Sequence, residues 1–195
     1  KVHMSTRSYT QKRRAKTTEA TGERIVDSFL NRLLKHWYDE ITLKEVAADA
    51  GVTVQTLVRR FGGKGGLLKE AVAKLAGEIN DQRVPSYEDP VVLVESLLDD
   101  YERTGDAVLR LLALEHRHED LAELLDFGRS QHREWVVRTF PGPLDREALD
   151  ILVVATDVYT WKLLCRDMGR EREQYRDIVI GLIDRVLAEQ GEETT

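Results

Sequence analysis

The chain has 195 residues, 42% of them apolar and 33% charged, enough for a core beneath a soluble, helix-friendly surface. Four prolines and short β-branched runs disfavour a sandwich or barrel, the single Cys165 excludes an intrachain disulfide and a Cys-based zinc site, and no run of about 18 apolar residues offers a membrane-spanning helix. The net charge of -6 argues against a nucleic-acid partner only until the chain is divided: residues 1–64 hold 13 Lys and Arg against 7 Asp and Glu, and residues 65–195 hold 16 against 28.

That asymmetry points to a basic module for a polyanion joined to an acidic body. Residues 1–18 carry Lys1, Arg7, Lys12, Arg13, Arg14 and Lys16 but no acid, lack periodicity, and read as a basic flexible arm. No signal-peptide apolar region is present. Met4 reads as the natural start, Lys1 to His3 as vector-derived, and the protein as cytoplasmic. Ile25, Phe29, Leu30, Leu33, Leu34 and Trp37 recur at helical spacing and predict a helix over about 20–37 with one buried stripe. Thr42 and Glu45 have the spacing of a capping box, opening a helix over about 43–49. Gly51 follows where a tight turn needs positive φ, and Thr53 caps another helix over about 54–60.

Two helices of about two turns, joined by a short glycine-containing turn, make a helix-turn-helix. Ala47 permits close approach, and Val46, Ala50, Val52 and Leu57 fix the crossing. The outward face of the second helix presents Thr53, Val54, Gln55, Thr56, Arg59 and Arg60. With no acid among them, they suit the major groove and offer hydrogen bonds to base edges. Around Lys64, Gly62 to Gly66 read as a hinge-like turn: Leu67 follows the last glycine and no strand precedes, so the Walker pattern is absent. A long amphipathic helix runs from Lys64 to about Gln82, with Val84-Pro85-Ser86 as a linker. Further helices are predicted over about 89–103, 105–116, 119–139, 145–168 and 172–189, with breaks at Thr104-Gly105, His118-Glu119, Pro141-Gly142-Pro143 and Gly169.

Tyr101, Phe127, Trp135, Tyr159, Trp161 and Cys165 are candidates to line an apolar effector pocket, in competition with plain core or dimer packing. Leu149, Leu152, Val153, Thr156 and Leu163 form one apolar stripe on the last two helices, and Ile178, Val179, Leu182, Ile183, Val186 and Leu187 the other. Glu115, His116, Glu119 and His132 have no metal-ligand spacing, and no nucleophile or paired-carboxylate motif stands out. The chain is not read as an enzyme and asks for no cofactor or metal.

Residues 25–72 resemble the DNA-binding domain of the TetR/AcrR family of bacterial transcriptional regulators. The resemblance rests on Ile41-Thr-Leu-Lys-Glu-Val-Ala-Ala-Asp-Ala-Gly-Val-Thr-Val-Gln-Thr-Leu-Val-Arg-Arg-Phe61, with Lys64 and Leu67 following at the family's spacing. It implies that Thr42 touches a phosphate, that Thr53, Gln55 and Thr56 meet bases or phosphates, and that Lys64 holds a phosphate beside the next helix N-terminus. It also implies that the last two helices pair with their mates as a four-helix dimer interface. Two departures stand out: Val58 replaces the family's usual Tyr, and Gly65-Gly66 replaces polar helix formers. A phosphate contact is then missing or supplied by Arg59 or Arg60, with the arm restoring affinity.

The resulting expectation is an all-α protein of about nine helices. Its parts are an arm over 1–18, a helix-turn-helix DNA-binding domain over 19–66, and a helical-bundle ligand-binding and dimerisation domain over 67–195. The expected function is a transcriptional regulator, a repressor, that binds a palindromic operator as a homodimer and is released by a small-molecule effector. The alternative is a helical ligand-binding or protein-interaction module without sequence-specific DNA binding, favoured by Val58 and the acidic total.

Overall fold

A computed structural model describes residues 5–83, 87–140, 142 and 144–193, with side chains described between 18 and 190 of these. The fold is all-α, and no strand occurs among the described residues. In chain order come α1 (Ser5–Leu33), a 3-10 turn (Tyr38–Glu40), α2 (Leu43–Asp49), α3 (Val54–Phe61), α4 (Lys64–Gln82) and α5 (Pro90–Leu114). A second 3-10 turn (Glu115–Arg117) leads to α6 (Glu119–Thr139), α7 (Arg146–Ala155), α8 (Val158–Trp161) with its π-helical continuation (Lys162–Asp167), and α9 (Arg172–Glu193). The chain divides into two compact units, Lys1–Ala76 and Gly77–Thr195, with the boundary inside α4.

In the first unit, Ile25, Phe29 and Leu33 of α1, Val46 and Ala47 of α2, Leu57 of α3 and Leu67, Leu68 and Ala71 of α4 are buried. Each large apolar side chain so buried contributes roughly 1.5–3 kcal/mol. Arg32 ties α1 to α2 through Asp49 at 2.6 Å and Glu45 at 3.3 Å, and Lys74 ties α4 to α1 through Asp27. Trp37, expected on the buried stripe, is 40% exposed because α1 ends at Leu33, short of it.

Helix α1 also begins at Ser5, where a flexible arm over 1–18 was expected. Residues 5–18 include no Gly or Pro and several Lys, Arg, Gln and Ala, good helix formers. Apolar periodicity reports which face of a helix is buried, and its lack does not exclude a helix.

The second unit packs around Leu93, Leu97, Trp135, Leu152, Trp161, Tyr175, Val179 and Ile183. Helix α5 is continuous through Thr104-Gly105, where a break was expected. Gly105 is there for proximity: a Cβ on it would lie 2.4 Å from Cζ3 of the fully buried Trp161. Conversely, the helix expected over 145–168 is interrupted. The Thr156 hydroxyl donates to the Leu152 carbonyl at 2.7 Å, and Asp157 caps α8 by accepting from the Tyr159 N–H at 2.8 Å. The expected linker at 84–86, Pro141 and Pro143 lie outside the described residues.

Candidate nucleic-acid interface

Helix α2 opens on a complete capping box. The Glu45 N–H donates to the Thr42 hydroxyl oxygen at 3.3 Å, and Glu45 Oε2 accepts from the Thr42 N–H at 3.0 Å. The same Glu45 oxygen takes the Thr42 hydroxyl proton at 2.6 Å, and these bonds hold the Glu45 carboxyl below its ordinary pKa. Thr42 is exposed, but its hydroxyl proton reaches a phosphate only by leaving Glu45. The turn beyond α2 passes through Gly51 at φ 65, closed by the Val52 N–H on the Ala47 carbonyl at 2.9 Å.

Thr53 caps α3, accepting from the Thr56 N–H at 3.2 Å, with the two hydroxyl oxygens 2.9 Å apart. One proton serves that pair, so one of the two hydroxyls keeps its own for another acceptor. Leu57 forms the buried face of α3. Val54, Gln55, Val58 and Arg59 are exposed, and Thr56 is half-buried. The helix carries no acid, and Arg59 has no hydrogen-bond or ion-pair partner among the described residues.

Arg60 behaves differently from the expectation that placed it on the outward face. Its Nη1 donates to the Thr18 carbonyl of α1 at 2.5 Å, and its Cζ lies 5.6 Å from the Phe61 ring centre. The guanidinium runs against Gly22, where a Cβ would lie 2.0 Å from Nη2. Lys64, half-buried at the start of α4, holds its ammonium 4.3 Å above the Tyr38 ring. Burial lowers its pKa, and the Asp39 carboxylate acts the other way.

Tyr38 is not among the residues singled out from the sequence, although it follows directly on Trp37, the last residue of the expected stripe. Gly66 explains one departure from the family pattern: a Cβ there would lie 1.9 Å from the Phe61 carbonyl oxygen. Arg13 and Arg14 fall within α1, but their side chains lie outside the described residues.

Residues 34–71 match the family described as bacterial regulatory proteins, tetR family. The chain carries a TetR-family DNA-binding domain. At that level it is a DNA-binding transcriptional regulator, and α3 is the second helix of its helix-turn-helix. Two solved structures share the fold. A transcriptional regulator from Rhodococcus sp. Rha1 is 15% identical with a TM-score of 0.64, over 86% of this chain and 96% of that one. A putative transcriptional regulator from Streptomyces coelicolor A3(2) is 19% identical with a TM-score of 0.63, over 85% and 97%. None of the curated proteins matches the chain.

In the second unit the pocket candidates separate into two groups. Tyr101, Trp135 and Trp161 are buried, Cys165 is half-buried with its thiol pKa raised by burial, and Phe127 and Tyr159 are 51% and 57% exposed. Two of the buried three, Tyr101 and Trp135, flank Arg83, and Trp161 packs behind Tyr101. Its Cζ lies 5.7 Å from the Tyr101 ring centre and 5.1 Å from that of Trp135, and Tyr101 and Trp161 are 5.9 Å apart.

Arg83 pairs with the buried Asp100 at 2.8 Å. His132 bridges onward, with Nδ1 3.4 Å from Arg83 Nη1 and Nε2 3.2 Å from the Thr156 hydroxyl. Facing a donor that never gives up its proton, Nδ1 accepts, so the neutral ring carries its hydrogen on Nε2. Burial, reinforced by the Arg83 charge, pulls the His132 pKa down to about 4. The Trp135 and Trp161 indole N–H groups and the Tyr175 hydroxyl are buried with no hydrogen-bond partner among the described residues. The same residues include no group of three or more His, Cys, Asp or Glu placed to hold a metal, and no helix long and apolar enough to cross a membrane.

Proposed function

We propose that this TetR-family protein represses transcription by binding a palindromic operator as a homodimer in the bacterial cytoplasm, and that a small effector bound within its carboxy-terminal helices releases it. The observation that carries the DNA half is the exposed, acid-free face of α3 with Gln55 and Arg59 at its centre. Thr53 and Thr56 supply a further hydroxyl donor, and Lys64 keeps its cation at the start of α4. Division of labour follows: residues 19–66 read DNA, and residues 67–195 dimerise and bind the effector. Arg13 and Arg14 add backbone affinity from α1.

The effector half is supported by the buried donors of Trp135, Trp161 and Tyr175, which a ligand bearing carboxylate or carbonyl oxygens would satisfy. Effector and operator then oppose each other through differential affinity for two states of the protein.

Selection from a randomised duplex library tests the reading. An inverted repeat is expected, with half-sites separated by about one helical turn of DNA or a multiple of it. A pool with no enrichment over random sequence would instead favour a helical interaction module that does not read DNA.

A further inference from the structure

We propose that Val54 and Val58 read the methyl group of a 5-methylpyrimidine, thymine in unmodified DNA, on the floor of the major groove. The inference rests on the DNA-binding reading above and specifies what part of the operator α3 recognises.

At 3.6 residues per turn, α3 divides into strips. Leu57 and Phe61 turn inward, Leu57 fully buried and Phe61 half-buried. Gln55 and Arg59, four residues apart, form the middle of the outward face. Val54 and Val58, also four apart, run alongside them on one edge and are 38% and 42% exposed. Arg60 on the opposite edge is turned back to the Thr18 carbonyl. The exposed surface of the helix is therefore a polar strip beside an apolar one.

The apolar strip stays exposed among the described residues. β-Branched residues are also a slightly unfavourable choice for an exposed position on an eight-residue helix. Position 58 is where the family usually has a Tyr that contacts the backbone, and Val carries no donor for a phosphate. What Val can do is bury a methyl. Base edges in the major groove offer donors, acceptors and one apolar group, the C5-methyl of thymine, which 5-methylcytosine also presents. Because the strip is continuous with the Gln55–Arg59 strip, a groove that receives one receives the other.

The test uses the full-length protein and its selected operator. Each thymine of a half-site is replaced in turn by deoxyuridine, which removes the methyl and leaves the hydrogen-bonding edge intact. Separately, each cytosine is replaced by 5-methylcytosine. At one or two positions uracil should weaken wild-type binding about fourfold per methyl, the equivalent of one buried CH2-sized group. Val54→Ala or Val58→Ala should erase that difference at its own position, since the interaction then has only one side.

A gain on cytosine methylation, absent in the same variants, would identify 5-methylcytosine as the group read. Unchanged affinity in both series, or equal changes in wild type and valine variants, would overturn the proposal while leaving DNA binding intact. Failure to select any operator would remove both readings together.

Discussion

Arg59 and Arg60 are neighbours in sequence, yet Arg59 has no partner among the described residues, while Arg60 donates to the Thr18 carbonyl. Arg59→Ala should therefore weaken binding to every sequence and reduce the salt dependence by about one unit, measured as the slope of affinity against salt. Arg60→Ala should change that slope little and lower the melting temperature of the free protein instead. The difference was not legible in the sequence: the polar, acid-free character of α3 is local, but the partner of Arg60 lies 42 residues away.

His132 gives a prediction of a different kind. Its folded pKa of about 4 lies below the ordinary histidine value of 6.5, so between these the unfolded chain binds more protons. Stability from the neutral ring is complete above about pH 6.5 and is lost as pH falls toward 4, reaching roughly 3 kcal/mol at the acid limit. Urea unfolding across this range should show a steeper acid loss for wild type than for His132→Gln; parallel curves would contradict the assignment.

At the level of elements, the sequence marks helix ends well where a side chain signs them. Thr42, Glu45, Gly51 and Thr53 bound α2 and α3 as expected, because caps and positive-φ turns are decided within four residues. Gly105 carries no such signature, since its cause is Trp161, 56 positions on and invisible to any local rule. Gly105→Ala should cost about 1–3 kcal/mol through overpacking. Gly128→Ala in α6, with nothing within 4 Å of the new Cβ, should instead stabilise by about 0.5–1 kcal/mol. Thermal melts of the two variants should move in opposite directions. The π-helical stretch Lys162–Asp167 carries no sequence signal of this sort, and the helix expected to run unbroken into it is interrupted at Thr156-Asp157.

For the whole molecule, the apolar side chains of the last helices divide into two sets. Leu152, Val179, Ile183 and Val186 are buried within the chain's own second unit. Ile151, Val154, Leu163 and Ile178 remain 38% to 64% exposed, and these are the side chains the proposed dimer would cover. Equilibrium sedimentation at micromolar concentration should show a dimer, and Ile151→Glu with Val154→Glu should shift it toward monomer. A wild-type monomer at that concentration would refute the proposed assembly. Patterning could identify these helices as apolar, but not which of their residues the chain keeps for itself.

Gly22 has an implication for how such a regulator could drift. The smallest chiral residue at that position would evict a guanidinium, and because the evicted group is the tip of a flexible side chain, the helices need not come apart. Gly22→Ala would convert a fastener into an untethered cation beside the duplex. Grip on any DNA should then tighten, with the salt slope steeper by about one unit, while preference for the cognate site falls. One methyl could in this way turn a selective binder into an indiscriminate one, a change that competition against bulk genomic DNA would reveal.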